Sequence, residues 1–324
     1  MQSEQFHVFP PLNTAVLFLV FNRPETTAAV FEAIRLAKPP RLYVAIDGPR
    51  ANREGEAEKV DKVLQIATAV DWPCEVKTLI RDSNLGCKKA VSGGIDWFFE
   101  NEVAGIVLED DCLPHPDFFG FCETLLARYA NDERVCVVTG DNFQNGIKRG
   151  EASYYFSRYN HVWGWASWRR AWQKRDMEIS FWPQWKKTVS WKCFFADAVT
   201  RRYWEKVFDR IYRGEVDTWD YPWVASCWFS GGLVATPNVN LVSNIGFGAD
   251  STHTKSVDSP LAGMATATIG EIRHPSLVEQ DAIADGYLFD HHYNGRSQRF
   301  PYSLLKLPKK VAGFTRGLLK WNVV

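Results

Sequence analysis

Residues 15–21 form an apolar run with no polar alternation, the pattern of a β-strand buried on both faces. A helix-period segment follows over 24–38, with Val30, Ala33, Ile34 and Ala37 at i, i+3, i+4 and i+7. The rhythm then repeats. Residues 42–46 read as a second strand, closed by the turn signal Asp47-Gly48-Pro49. Val60, Val63, Leu64 and Ala67 mark a second helix, and 75–80 a third strand. Val91, Ile95, Phe98 and Phe99 mark a third helix, and 105–108 a fourth strand that runs into Glu109-Asp110-Asp111. Cys122, Leu125 and Tyr129 lie on a fourth helix before a fifth strand over 134–139. Strands alternating with helices predict an α/β fold, a mostly parallel sheet with helices on both faces.

The second half of the chain changes character. Eleven of the fourteen tryptophans fall between Trp163 and Trp228, and the strand–helix rhythm is lost. That shift divides the chain into an α/β half over 1–140, an aromatic-rich half over 141–260 and a C-terminal extension over 261–324. The 324 residues are 46% hydrophobic and 23% charged, which is globular composition. The 38 basic and 38 acidic side chains cancel, which argues against a general nucleic-acid binder. The seven cysteines are scattered without a CxxC pair, so the pattern fits a reducing cytoplasm better than a disulfide or zinc framework. No signal peptide is expected at the N-terminus, and no apolar run reaches the ~20 residues of a membrane span. The tail over 304–324 mixes Lys306, Lys309, Lys310, Arg316 and Lys320 with apolar residues and no acid. It reads either as a packed or solvated helix or as a segment that lies on an anionic membrane surface.

GxGxxG, P-loop and GxSxG motifs are absent. The sharpest chemical signal is Glu109-Asp110-Asp111, because ligands in open α/β sheets bind at the carboxyl ends of the strands. Adjacent carboxylates repel, and their oxygens suit hard ions such as Mn²⁺ or Mg²⁺. Other candidates flank it. Asn22 and Arg23 follow the first strand and open a helix at Pro24, where a nucleotide could be held. Asp47 ends the second strand, as a turn residue or as an acceptor for the N3–H of uracil. Arg81, Asn84, Gly86 and Lys88 or its neighbour Lys89 form a basic helix start suited to phosphate. Trp163 and Trp165 carry faces suited to a sugar ring or to a core.

The run Ile106-Val107-Leu108-Glu109-Asp110-Asp111, with Pro114 and Pro116-Asp117-Phe118-Phe119, resembles the metal-binding segment of GT-A glycosyltransferases. It is most like the N-acetylglucosaminyltransferase I type. The resemblance spans roughly the first 250 residues at motif level. It implies that Asp111 coordinates Mn²⁺, that Asp110 lies near the nucleotide and that Glu109 reaches toward the donor sugar. It further implies that the loop at Asn22 and Arg23 touches base and ribose, and that Trp163-Gly164-Trp165 meets donor sugar and acceptor. Trp219-Asp220 matches the family's element bearing the catalytic base, although the register downstream is one residue longer and Pro222 intervenes. Asp220 is therefore the first candidate base and Asp217 the second. His253 corresponds to a late histidine that serves as metal or pyrophosphate ligand in some such enzymes.

These readings converge on a metal-dependent inverting glycosyltransferase. It would move a sugar from a nucleotide-diphosphate donor, with UDP expected, to a hydroxyl of a glycan or lipid-linked oligosaccharide. The expected setting is surface polysaccharide assembly at the inner face of a membrane. Two alternatives remain at this stage: a nucleotidyltransferase acting on a sugar phosphate, and a non-catalytic carbohydrate-binding protein built on the tryptophans.

Overall fold

The computed structural model describes residues 11–247 and 259–299; His253 and the basic tail lie outside them. The first part runs β1 (Ala15–Val20), α1 (Pro24–Ala37), β2 (Arg41–Ile46), α2 (Glu56–Ala67), β3 (Glu75–Ile80), α3 (Cys87–Asn101) and β4 (Ala104–Glu109). It continues through β5 (Cys112–Pro114), α4 (Asp117–Arg128) and β6 (Val135–Thr139). Next come β7 (Tyr154–Ser157), β8 (Trp165–Trp168) and the short helices α5 (Arg169–Trp172), α6 (Trp182–Trp185) and α7 (Val189–Phe194). The chain then forms α8 (Ala198–Tyr212), α9 (Asp220–Phe229), β9 (Leu233–Pro237), β10 (Val242–Asn244) and α10 (Ala282–His291). Among the described residues no helix is long and apolar enough to cross a membrane.

Eight strands form one sheet in the order β3-β2-β1-β4-β8-β6-β9-β7, so the chain is α/β with a mostly parallel sheet. β3, β2, β1 and β4 are parallel neighbours. β8 is wedged antiparallel between β4 and β6, β9 runs parallel to β6, and β7 closes the edge antiparallel to β9. All six residues of β1 are buried, as its unbroken apolar run predicts for a strand covered on both faces. Pro24 starts α1 where its missing N–H costs nothing. The change in composition near residue 140 does not interrupt the sheet, because β7, β8 and β9 all come from beyond it.

The tryptophan-rich segment extends the core of the sheet. All eleven tryptophans from Trp163 to Trp228 are buried. Trp165 stacks on Trp219 at 5.9 Å between ring centroids, and Trp172 meets Trp223 edge-on at 4.9 Å. Trp182 meets Trp191 at 4.8 Å, and Trp204 meets Trp228 at 4.8 Å. Several indole N–H groups find acceptors, as burial of such a group demands: Trp172 donates to Asp96 at 2.7 Å, Trp182 to Asp209 at 2.9 Å and Trp191 to Glu205 at 2.9 Å. This packing anchors α8 and α9 against the sheet. A separate two-stranded ribbon pairs β5 with β10, Asn244 opposite Cys112, and draws residues 242–246 onto the end of β4.

Two glycines test this packing. A Cβ on Gly105 in β4 would lie 2.2 Å from the Phe98 ring, whereas one on Gly286 in α10 would meet nothing within 4 Å. Gly105→Ala should lower unfolding stability by about 1–3 kcal/mol through overpacking. Gly286→Ala should raise it by about 0.5–1 kcal/mol through helix propensity. Urea titration of both variants checks the pair, and equal effects at the two positions would contradict it.

Candidate active site

The site follows from register. Val20 pairs with Ile46, Ile46 with Ile80, and Leu19 with Glu109, so four parallel strands end at one level. Their loops carry Asn22 and Arg23, then Asp47, then Arg81 to Gly86, then Glu109 to Asp111. The strand order places β2 and β4 on opposite sides of β1. The chain leaves β1 toward β2 and later returns to the other side of β1 as β4, which makes the β1/β4 junction a topological switch point. Ligands bind in the crevice that such a junction opens. Arg23 and the acidic trio stand on its two sides.

At this junction the Arg23 guanidinium reaches across to the acids. Its Nη1 lies 2.6 Å from Asp111 Oδ2 and 3.3 Å from Asp110 Oδ1. The Phe21 backbone N–H donates to Asp110 Oδ2 at 3.2 Å, and the Cys112 thiol donates to Asp111 Oδ1 at 3.3 Å. Burial, and then the charges of Asp111 and Asp110, hold the Glu109 carboxyl well above the usual carboxylate range. Burial lifts Asp110 to about 7, partly opposed by Arg23. Burial alone would lower the Arg23 guanidinium, but Asp110 and Asp111 outweigh it and raise it above its ordinary value.

Two distant segments complete the cluster. Asp220, the first residue of α9, accepts a hydrogen bond from the Thr218 hydroxyl and lies close enough to raise the Glu109 carboxyl. The Cys87 thiol is raised by burial and then by Glu109, Asp220 and Asp217, which places all three acids around the start of α3. Asp217 Oδ2 would lie 3.6 Å from a Cβ on Gly86. From the other side, the Ile245 N–H donates to the Asp111 carbonyl at 2.8 Å. A Cβ on Gly246 would lie 2.2 Å from Asp111 Oδ2, so only glycine leaves that carboxylate its position.

Other expected site residues are used differently. Asp47 accepts from the Asn84 side chain at 2.8 Å and from the Leu85 and Gly48 N–H groups at 2.9 and 3.0 Å. Burial raises its carboxyl and these donors oppose the rise, so Asp47 and Asn84 together anchor the loop before α3. Arg81 is near enough to Asp47 to favour its charged form. Asn22 donates to Glu56 at 2.8 Å and Lys88 reaches Glu178 at 2.7 Å; neither contact is with the acidic trio. Of the two uses open to Trp163 and Trp165, a sugar ring or a core, burial places them in the core. Trp165 is fully enclosed by Trp172, Trp219 and Trp223 in β8 at the middle of the sheet, and Trp163 is buried against Phe143 and Phe247. Indole faces satisfy each other as well as they satisfy a sugar, and here the core takes them.

Gly246, Cys87 and Asp141 were not expected from sequence. Nothing near Gly246 in the chain points to Asp111. Asp141 did carry a signal, because it stands two residues past the buried strand β6 as Asp111 stands two past β4. It is fully buried; Oδ2 accepts from the Trp163 N–H at 3.1 Å, while Oδ1 has no hydrogen-bond partner.

Among the described residues no group of three or more His, Cys, Asp or Glu side chains is arranged to hold a metal unaided. The donor chemistry at Asp111 nevertheless fits a hard divalent ion of the kind that takes one or two carboxylates and completes its shell with water and phosphate oxygens.

No protein-family model matches the chain, and no curated protein does. Among solved structures it is similar to a mannosyltransferase from Pyrobaculum calidifontis in complex with GDP-Man and Mn²⁺. That likeness has a TM-score of 0.31 and 13% identity over 51% of this chain and 48% of the other. It is similar to GalNAc-T7 with UDP, GalNAc and Mn²⁺, with a TM-score of 0.42 and 12% identity over 70% and 43%. It is also similar to HddC from Yersinia pseudotuberculosis, with a TM-score of 0.31 and 11% identity over 53% and 86%. The chain thus spans about half the length of the first two. At such scores and identities, residue roles rest on this chain's own geometry.

Asp141 generates a pH prediction. Burial lifts its carboxyl from the ordinary 3.8 to about 8, with the Trp163 N–H opposing the rise. Between those values the folded chain holds a proton that the unfolded chain has released, so this group's contribution to stability falls as pH rises through that window. Asp141→Asn keeps an acceptor for Trp163 and removes the titration. Its unfolding temperature should decline less between the two pH limits than that of the parent chain. Parallel curves for variant and parent would refute this.

Proposed function

We propose that the chain is a GT-A-type, divalent-metal-dependent glycosyltransferase that transfers a sugar from a nucleotide diphosphate to an acceptor hydroxyl. The observation that carries this reading is the meeting of Glu109, Asp110 and Asp111 at the β1/β4 switch point with Asp220 from the start of α9. A sugar transferase needs these two functions side by side: a place to neutralise a leaving diphosphate and a base for the incoming hydroxyl.

In this reading Asp111 would hold the metal through its carboxylate, which Gly246 allows to keep its position. The bound ion would supply positive charge for the departing diphosphate. Asp110 is turned toward the Phe21 N–H and Arg23, where it fixes the nucleotide-side loop. Glu109, near Asp111 and Asp220, is the carboxyl that would hydrogen-bond a donor-sugar hydroxyl. Asp220 takes the proton from the acceptor hydroxyl. Its place in the first turn of α9 favours negative charge. Attack from the face opposite the diphosphate inverts the anomeric centre. UDP as the donor's nucleotide, and the resemblance to the N-acetylglucosaminyltransferase I type, belong to the same proposal. The burial of the tryptophans weighs against a purely carbohydrate-binding role, because the aromatic stripe that such a role needs lies inside the core.

The test is release of nucleoside diphosphate from a panel of nucleotide-sugars, with and without Mn²⁺. One donor should respond, and Asp111→Ala should lose the response. With an acceptor present, Asp220→Asn should lower turnover by about 10²–10⁴-fold while leaving nucleotide binding in place. Near-normal turnover in that variant removes Asp220 as the base. Gly246→Ala should weaken Mn²⁺ binding measured by calorimetry, because its methyl group takes the space of the Asp111 carboxylate. Undiminished binding would refute that placement.

A further inference from the structure

The acidic trio is met by one guanidinium, and that guanidinium sits on the oxygen that a metal would need. We propose that Arg23 is a resident competitor for the cation site at Asp111, so that the chain takes up a divalent metal together with a diphosphate and resists the bare ion. The proposal rests on the glycosyltransferase reading and deepens it.

The geometry is specific. Arg23 Nη1 lies 2.6 Å from Asp111 Oδ2, while the Cys112 thiol donates to the other oxygen, Oδ1. Oδ2 also lies against Gly246, where a Cβ would come within 2.2 Å of it. A divalent ion binds a carboxylate oxygen at about 2.0–2.2 Å. It cannot share Oδ2 with a guanidinium at that range, because the two cations repel at close contact in a partly buried setting. One must leave for the other to enter.

Arg23 is built to move at its side chain alone. Pro24 fixes the start of α1, and the Arg23 carbonyl accepts from the Thr27 N–H at 3.0 Å and from the Thr27 hydroxyl at 2.6 Å. The side chain keeps 21% of its surface exposed. Displaced by a bare ion, it would lose its ion pairs and gain only water. Displaced in the presence of a diphosphate, its planar, two-pronged guanidinium would gain a pair of phosphate oxygens, an arrangement that it binds well. The two ligands therefore help each other, and such coupling is reciprocal in their binding free energies.

The experiment is Mn²⁺ binding to the full chain, followed by the electron paramagnetic signal of free Mn²⁺, with and without UDP or GDP. All variants are compared at one fixed pH and ionic strength. The parent chain should bind Mn²⁺ weakly alone and more tightly with the nucleotide. Arg23→Gln should bind Mn²⁺ alone roughly tenfold or more tightly than the parent, with a smaller gain from the nucleotide. Arg23→Lys, which keeps the charge, should stay near the parent. Unchanged or weaker Mn²⁺ binding by a folded Arg23→Gln chain overturns the proposal. So does Arg23→Lys behaving like Arg23→Gln. If instead Asp111→Ala binds Mn²⁺ as well as the parent, the metal placement itself falls, which separates that failure from failure of the Arg23 proposal.

Discussion

Like-charge repulsion at the end of β4 is the constraint on which the rest of the site depends. Two carboxylates about 4 Å apart in a protein setting repel by about 4 kcal/mol, and here three follow one another. The fold answers with a guanidinium from across the β1/β4 junction, one backbone N–H and one thiol proton. The first two depend on the register between β1 and β4, because Phe21 and Arg23 follow the strand that pairs with the strand carrying the acids. The acids are thus held by tertiary pairing, and the same pairing makes them a place where more positive charge is welcome.

The aromatic half serves that arrangement from a distance. Its tryptophans bury large areas and lock α8 and α9 against the sheet, which fixes where Asp220 begins its helix. A base must be held to a fraction of an ångström, and a helix start on a packed core is better suited to that than a loose loop. Indoles that composition offers equally to a sugar cleft are spent on rigidity. The β5–β10 ribbon plays the corresponding part on the other flank, bringing Gly246 against Asp111 without crowding its carboxylate.

Much of this was legible along the chain. The first part alternates strand and helix, and the five expected strands match observed ones to within a residue at either end, while the short β5 was not expected; apolar runs and 3.6-residue spacing act locally. The acidic trio stood out for the same reason: three charges after a buried strand conflict with their surroundings unless they have a task. Asp47 and Asn84 were found as residues of interest, but their mutual hydrogen bond was not, since that needs β2 and β3 side by side. β7, β8 and β9 were missed. They are short, and in the mixed part of the sheet neighbours in space are not neighbours in sequence.

The sequence by itself therefore determined the parallel α/β half, the strand ends where chemistry collects and the excess negative charge at one of them. Only the tertiary structure decided which side chain answers that charge, which glycine gives it room and which acid from the second half faces it. It also decided that the tryptophans point inward. The physical reason is the same in each case. Hydrophobic period and turn chemistry are properties of a few adjacent residues, whereas charge pairing, close approach and burial depend on distances in space that no local pattern encodes.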